Sequence, residues 1–169
     1  RLGRKRQTWS MLKKKKKRFR QKKKSINFGQ LYREHLARSG RVFKPASEWD
    51  AKAAEMRSKV LDSSYRTEFV SRMQCAADDT VLDVGCGPGT IGLAVAPMVK
   101  QVYGLDYSQG MLDAMLENAA QLQVTNLQPI LASWEDDWSD VPVCDIALVS
   151  RASIVADMDD ALDKLNRHA

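Results

Sequence analysis

A short strand, a glycine-rich turn and the start of a helix follow one another without a gap over residues 80–96, and that order leaves few folds open. Thr80–Val84 is apolar and rich in β-branched residues, the composition of a strand buried on both faces of a parallel sheet. Gly85, Gly87 and Gly89 come next, at alternate positions. Without Cβ atoms they let the chain turn sharply and let backbone lie against a ligand. Helical apolar spacing resumes over residues 90–96, so the turn feeds a helix N-terminus with unpaired N–H groups. A small ligand carrying an anionic group is expected there.

The alternation continues downstream. Residues 101–105 read as a second strand that ends at Asp106, and Ser108 caps a helix whose Met111, Leu112, Met115, Leu116 and Ala119 form an apolar stripe. Residues 127–131 and 144–149 read as a third and a fourth strand. A helix follows from Asp157, with Met158, Ala161, Leu162 and Leu165 on one face. This alternation predicts an α/β fold with a parallel sheet of about four strands and right-handed crossovers. Ahead of the first strand the pattern is helical. Phe28, Leu31, Tyr32, His35 and Leu36 share a face up to Ser39-Gly40. Ser47 is placed to cap a second helix through Trp49, Ala53, Met56 and Val60, and Tyr65, Phe69, Val70 and Met73 lead on into Cys75. The chain divides into residues 1–24, a helical segment 25–75, and an α/β unit 76–169.

Charge separates the first of these from the rest. Residues 1–24 hold 14 of the 27 Lys and Arg and no acid, so residues 25–169 set 13 bases against all 21 acids. The basic character belongs to the tail. Its favoured reading is a disordered, solvated tail; the other is a nucleic-acid-binding arm that neutralises phosphates. Cys75, Cys86 and Cys144 are odd in number and form no CxxC pair, which points to free thiols in a reducing, cytoplasmic setting. With only His35 and His168, neither a histidine-built metal site nor a hydrolase triad is expected. No apolar run approaches a membrane span, so no membrane partner is expected.

Two details constrain the ligand. A dinucleotide fingerprint would place its third glycine at position 90, which is Thr90, and this counts against a nicotinamide cofactor. Asp83 stands just before the first glycine, where a carboxylate repels a pyrophosphate but attracts positive charge. Asp106 ends the second strand, where a carboxylate accepts the two hydroxyls of a ribose. The ligand then combines a ribose, a cationic part and a carboxylate.

The run from Val81 to Thr90, with Gly104-Leu105-Asp106-Tyr107-Ser108 and Met111-Leu112, resembles the first two motifs of class I S-adenosylmethionine (SAM)-dependent methyltransferases of the type 11/25-like group. The resemblance covers about residues 47–169 and implies a Rossmann-like fold with SAM as cofactor. It implies that Asp83, Gly85, Cys86, Gly87 and Gly89 surround the methionine end. Asp106 would take the ribose, and Tyr107 and Met111 would lie beside the adenine. Where the family often has Asp and a small residue after the third strand, this chain has Ser133-Trp134, so Ser133 holds the place of the adenine contact with Glu135 or Asp136 as its substitute, and Trp134 offers its backbone N–H and ring edge. The N-terminal helices of the family can fold over the cofactor, which would bring Trp49 or Tyr65 near it.

Methyl transfer from a sulfonium needs little side-chain chemistry, and no catalytic side chain is assigned. The acceptor side is expected at Ser150 and Arg151, with Ser153, beyond the fourth strand. Arg151 either steadies an anionic acceptor or pairs with Asp157. Family members usually have seven strands and this chain has four. The resemblance thus implies a fragment lacking strands five to seven, with the fourth strand as an open edge and weakened cofactor binding. A small-molecule acceptor is favoured. An RNA acceptor engaged through residues 1–24, or a non-catalytic interaction fragment, are the alternatives.

Overall fold

The computed structural model describes residues 26–60 and 64–169; the expectations for residues 1–24 lie outside them. Helices α1 (Phe28–Ser39), α2 (Ala46–Asp50), α3 (Ala53–Ser58) and α4 (Ser64–Ser71) precede the sheet. The α/β part then runs β1 (Thr80–Val84), α5 (Gly92–Val95), β2 (Gln101–Asp106), α6 (Gln109–Gln121), β3 (Leu127–Leu131), β4 (Ile146–Val149) and α7 (Met158–His168).

All four strands are parallel, in the order β3-β2-β1-β4. Strand β1 is central because it is apolar on both faces, and the period-two alternation of a strand divides its side chains between two layers. Val81 and its register partner Val102 point into one layer, where Leu93, Val95, Leu112 and Met115 of α5 and α6 cover them. Leu82, Val84 and Leu105 point into the other, with Trp138, Val141, Cys144 and, from α7, Leu165. On the first face Gly104 lies opposite Asp83 in register. A Cβ at Gly104 would come within 2.6 Å of Met115 Sδ, so glycine there lets α6 press against the sheet. Pro129 sits in β3, an edge strand, where a missing N–H costs no ladder bond on the open side.

Several helices depart from the sequence-based expectation for local reasons. The apolar run in α1 does not face the core: Phe28 and Leu31 are exposed. Its buried side is Gly29, which packs against Asp159, and Tyr32, whose hydroxyl meets Val155. Asn27 caps α1 through Gln30 N at 2.9 Å, and Gly40, at φ 63°, ends it. The second predicted helix is broken into α2 and α3. Pro45, not Ser47, precedes it, and residues 51–52 form a turn between the two pieces. The expected helix over residues 90–96 is short, with one α-helical turn at Gly92–Val95 followed by a 3-10 turn at Ala96–Met98, where Pro97 lies. Ser108 and Asp157 cap α6 and α7 as their sequence positions imply. Leu162, expected on the apolar face of α7, is exposed. No described helix is long and apolar enough to cross a membrane.

Candidate functional site

Every strand ends on the same side of the sheet, and the order reverses at β1, between β2 and β4. Ligands of open parallel sheets lie beyond the carboxyl ends of the strands at such a switch point. A cavity of about 780 Å³ lies there.

Its floor is the glycine turn. Gly85, Gly87 and Gly89 have φ of 68°, 53° and 85°, in the left-handed region that disfavours side chains. The turn is fixed by main-chain bonds: Gly85 N and Cys86 N both donate to Leu105 O, at 2.7 and 3.1 Å. Gly85 has a second constraint, because a Cβ on it would meet Ala152 Cβ at 2.1 Å. Gly87 faces open space. Gly89 is not part of the cavity wall; it is buried against Leu93 and Met115, and what it enables is packing of the turn on the helices.

Two carboxylates face the cavity from adjacent strands. Asp83, fully buried at the end of β1, accepts Gly92 N on Oδ2 at 2.9 Å. Burial raises its pKa to about 7; the Gly92 hydrogen bond opposes the shift and the Asp106 charge adds to it. Asp106, at the end of β2, accepts Gly87 N on Oδ2 at 2.9 Å and Ser108 N on Oδ1 at 3.0 Å. Burial raises its pKa too, against those backbone bonds. The Gly87 amide is therefore engaged by Asp106. Each Asp106 oxygen holds one N–H and retains room for a second donor, which is what a vicinal diol requires. Cys86 is buried between them, its Sγ 3.6 Å from Gly87 O, and burial pushes its thiol well above the ordinary cysteine value. It is an inert filler of the turn.

The remaining walls come from both directions along the chain. Met111 of α6, buried with Ala114 against Ala53 of α3, lines the cavity. Tyr107 reaches across to the segment before α2, its hydroxyl donating to Lys44 O at 3.0 Å. Beyond β3, Ser133 and Glu135 line the cavity. Ser133 N donates to Asp136 Oδ2 at 2.7 Å, so Asp136 closes its own turn and is not a wall residue. Trp134 stacks on Trp138 with centroids 5.3 Å apart. Trp134 lines the cavity as well; its indole N–H donates to Ala152 O at 3.0 Å, which ties the β3 and β4 loops together. Lys164 supports this loop from α7 through Trp134 O and Asp136 O.

On the far side, Ser150 Oγ and Tyr65 OH lie 2.7 Å apart, and the Arg151 guanidinium lies over the Tyr65 ring at 4.2 Å. Asp157 pairs with Arg33 at 3.5 Å, not with Arg151. Ser153 is exposed; its carbonyl accepts from Tyr32 at 3.3 Å. Both aromatic candidates of the N-terminal helices, Trp49 and Tyr65, reach the cavity. Asp50 escaped the sequence reading. Its Oδ1 accepts Ser108 Oγ at 2.6 Å and Gly110 N at 2.9 Å, locking α2 onto the start of α6. Val42, Phe43 and Ile154 at the rim were also missed, since nothing in their local pattern distinguishes them from loop residues.

Comparison with known proteins agrees with this architecture. The methyltransferase-domain family matches residues 76–168. An uncharacterized protein of Haemophilus influenzae is 39% identical over 142 residues, which is 83% of this chain and 53% of that protein. A probable cobalt-precorrin-6B C(15)-methyltransferase (decarboxylating) of Methanocaldococcus jannaschii is 34% identical over 77 residues, 46% of this chain and 42% of that protein. Among solved structures, the complex between the Haloferax volcanii Trm112 methyltransferase activator and its putative methyltransferase contains a chain with a TM-score of 0.57 and 26% identity. The match covers 70% of this chain and 54% of that one. The chain thus spans about half the length of the relatives it matches. With its four parallel strands, glycine turn and paired strand-end carboxylates, the chain belongs to the methyltransferase-domain family, of the class I, SAM-dependent, Rossmann-like kind.

Proposed function

We propose that residues 76–169 bind SAM and, under the cover of helices α2, α3 and α4, take part in methyl transfer to a small-molecule acceptor. The observation that carries this reading is the pair of buried carboxylates, Asp83 and Asp106, on adjacent strand ends and facing one cavity. A carboxyl held at a pKa of about 7 by burial is destabilised when ionised alone, and a ligand ammonium beside it restores the charged form. Asp83 suits the methionine amino group and Asp106 the ribose hydroxyls. Tyr107, Met111 and Glu135 suit the adenine end, and Ser133 and Trp134 hold the loop behind it. SAM would supply a methyl group already activated by its sulfonium. The protein's part is to hold the two reactants in line and keep water out, which the cover of Phe43, Trp49 and Ile154 favours. The similarity to the Methanocaldococcus protein, a probable cobalt-precorrin-6B C(15)-methyltransferase, supports a small acceptor. The free thiols Cys75, Cys86 and Cys144 fit a reducing, cytoplasmic setting.

A thermal-shift series tests the reading. S-adenosylhomocysteine should raise Tm in a concentration-dependent way while NAD leaves it unchanged. A shift with NAD and none with S-adenosylhomocysteine would sink it.

A further inference from the structure

Charged side chains of both signs line the cavity along the carboxyl edge of the sheet. Its carboxylates, Asp83, Asp106 and Glu135, belong to the ends of β1 and β2 and the loop after β3. Its cations are Lys44, Lys59 and Arg151. Lys44 is paired with Glu48 at 3.7 Å and Lys59 with Glu55 at 2.5 Å. Among the described residues, Arg151 has no carboxylate at ion-pair distance.

Arg151 is nonetheless held. Its guanidinium carbon lies 4.2 Å from the Tyr65 ring centroid, and the Tyr65 hydroxyl is fixed by Ser150 Oγ at 2.7 Å. Stacking uses the π face of a guanidinium and leaves the N–H donors at its rim available, a geometry suited to planar or tetrahedral oxyanions. The backbone supports the same view. Arg151 sits at φ 62°, a left-handed conformation that is strained for a long side chain and that glycine would adopt freely. Strands β2 and β4 flank β1, so their ends lie roughly 10 Å apart. That separation places the cation within one small molecule's length of the acidic end.

We propose that Arg151, stacked on Tyr65, binds an oxyanion, carboxylate or phosphate, carried by the methyl acceptor, and so restricts the acceptor to anionic small molecules. The word acceptor rests on the SAM reading of the acidic end; the anion subsite stands on the cavity itself.

The test is a calorimetric titration of the full chain with succinate, with inorganic phosphate and with neutral succinamide, each with and without saturating S-adenosylhomocysteine. Succinate or phosphate should bind and succinamide should not, and the stronger of the two anions identifies the acceptor group. Arg151→Met should weaken the anion at least about tenfold and leave S-adenosylhomocysteine binding intact, and Tyr65→Phe, which keeps the ring, should retain most of it. Arg151→Gly should lose the anion without lowering Tm, an outcome that a purely structural arginine would not give. Equal binding of succinate and succinamide, absence of anion binding, or unaltered affinity in Arg151→Met would overturn the proposal. Failure of S-adenosylhomocysteine to bind the wild-type chain would instead overturn the cofactor reading, with the anion arm still readable without it.

Discussion

The two ends of the cavity are built by different means. At the acidic end, main chain does the positioning: Asp83 and Asp106 are aimed by Gly92, Gly87 and Ser108 amides within one continuous stretch of sequence. At the other end, side chains position one another across the fold, with Tyr65 on α4 meeting Ser150 and Arg151 beyond β4. A site made by backbone tolerates almost no change in shape. One made by side chains can alter what it recognises without disturbing the sheet. Such a division suits a constant cofactor at one end and a variable acceptor at the other.

The sharpest way to break the comparison is to add one carbon to the turn. Gly85→Ala combines a left-handed φ of 68° with a clash against Ala152, and should cost about 3 kcal/mol in denaturant unfolding and abolish S-adenosylhomocysteine binding. Gly87→Ala is the control. Its φ is 53° but its Cβ meets open space, so only about 1 kcal/mol of backbone strain is expected. Equal destabilisation of the two variants would refute the packing argument.

Asp106→Ala should follow, with an affinity loss of about a hundredfold for S-adenosylhomocysteine, since charged hydrogen bonds to two hydroxyls go together. The next effect is on pH. A carboxyl whose folded pKa is raised from 3.8 to about 7 contributes stability at low pH that is lost as pH rises through that interval. The Tm of the ligand-free chain should accordingly fall between about pH 4 and pH 7, and Asp83→Asn should flatten that fall. Binding of an ammonium group has the opposite sign. Wild-type affinity should rise from pH 6 to pH 8, with proton release visible as a buffer-dependent heat, and Asp83→Asn should lose the dependence. The smallest effect belongs to the exposed Arg57–Glu117 pair that joins α3 to α6; Arg57→Ala should change unfolding stability by less than about 1 kcal/mol.

The same division explains what the sequence disclosed. Strand β1, the glycine turn, Asp106 and the Ser108 cap are local in the chain, and their spacing carries their geometry, so fold and acidic end were legible. The periodicity of Phe28 and Leu31 places helix α1 but says nothing about which neighbour arrives, and α7 arrives on the Gly29 side. Asp50 and the Tyr65–Ser150–Arg151 cluster depend on contacts across 58 to 85 positions. The indole partner of Trp134, Ala152 O, lies 18 positions away. No local pattern encodes such meetings.

The claim that the cavity has two separable ends is tested most directly by titrating S-adenosylhomocysteine into the wild type, Asp106→Ala and Arg151→Met under one buffer. The account predicts binding in the wild type, a loss of about a hundredfold in Asp106→Ala, and wild-type affinity in Arg151→Met. Equal weakening in both variants, or none in either, would contradict it.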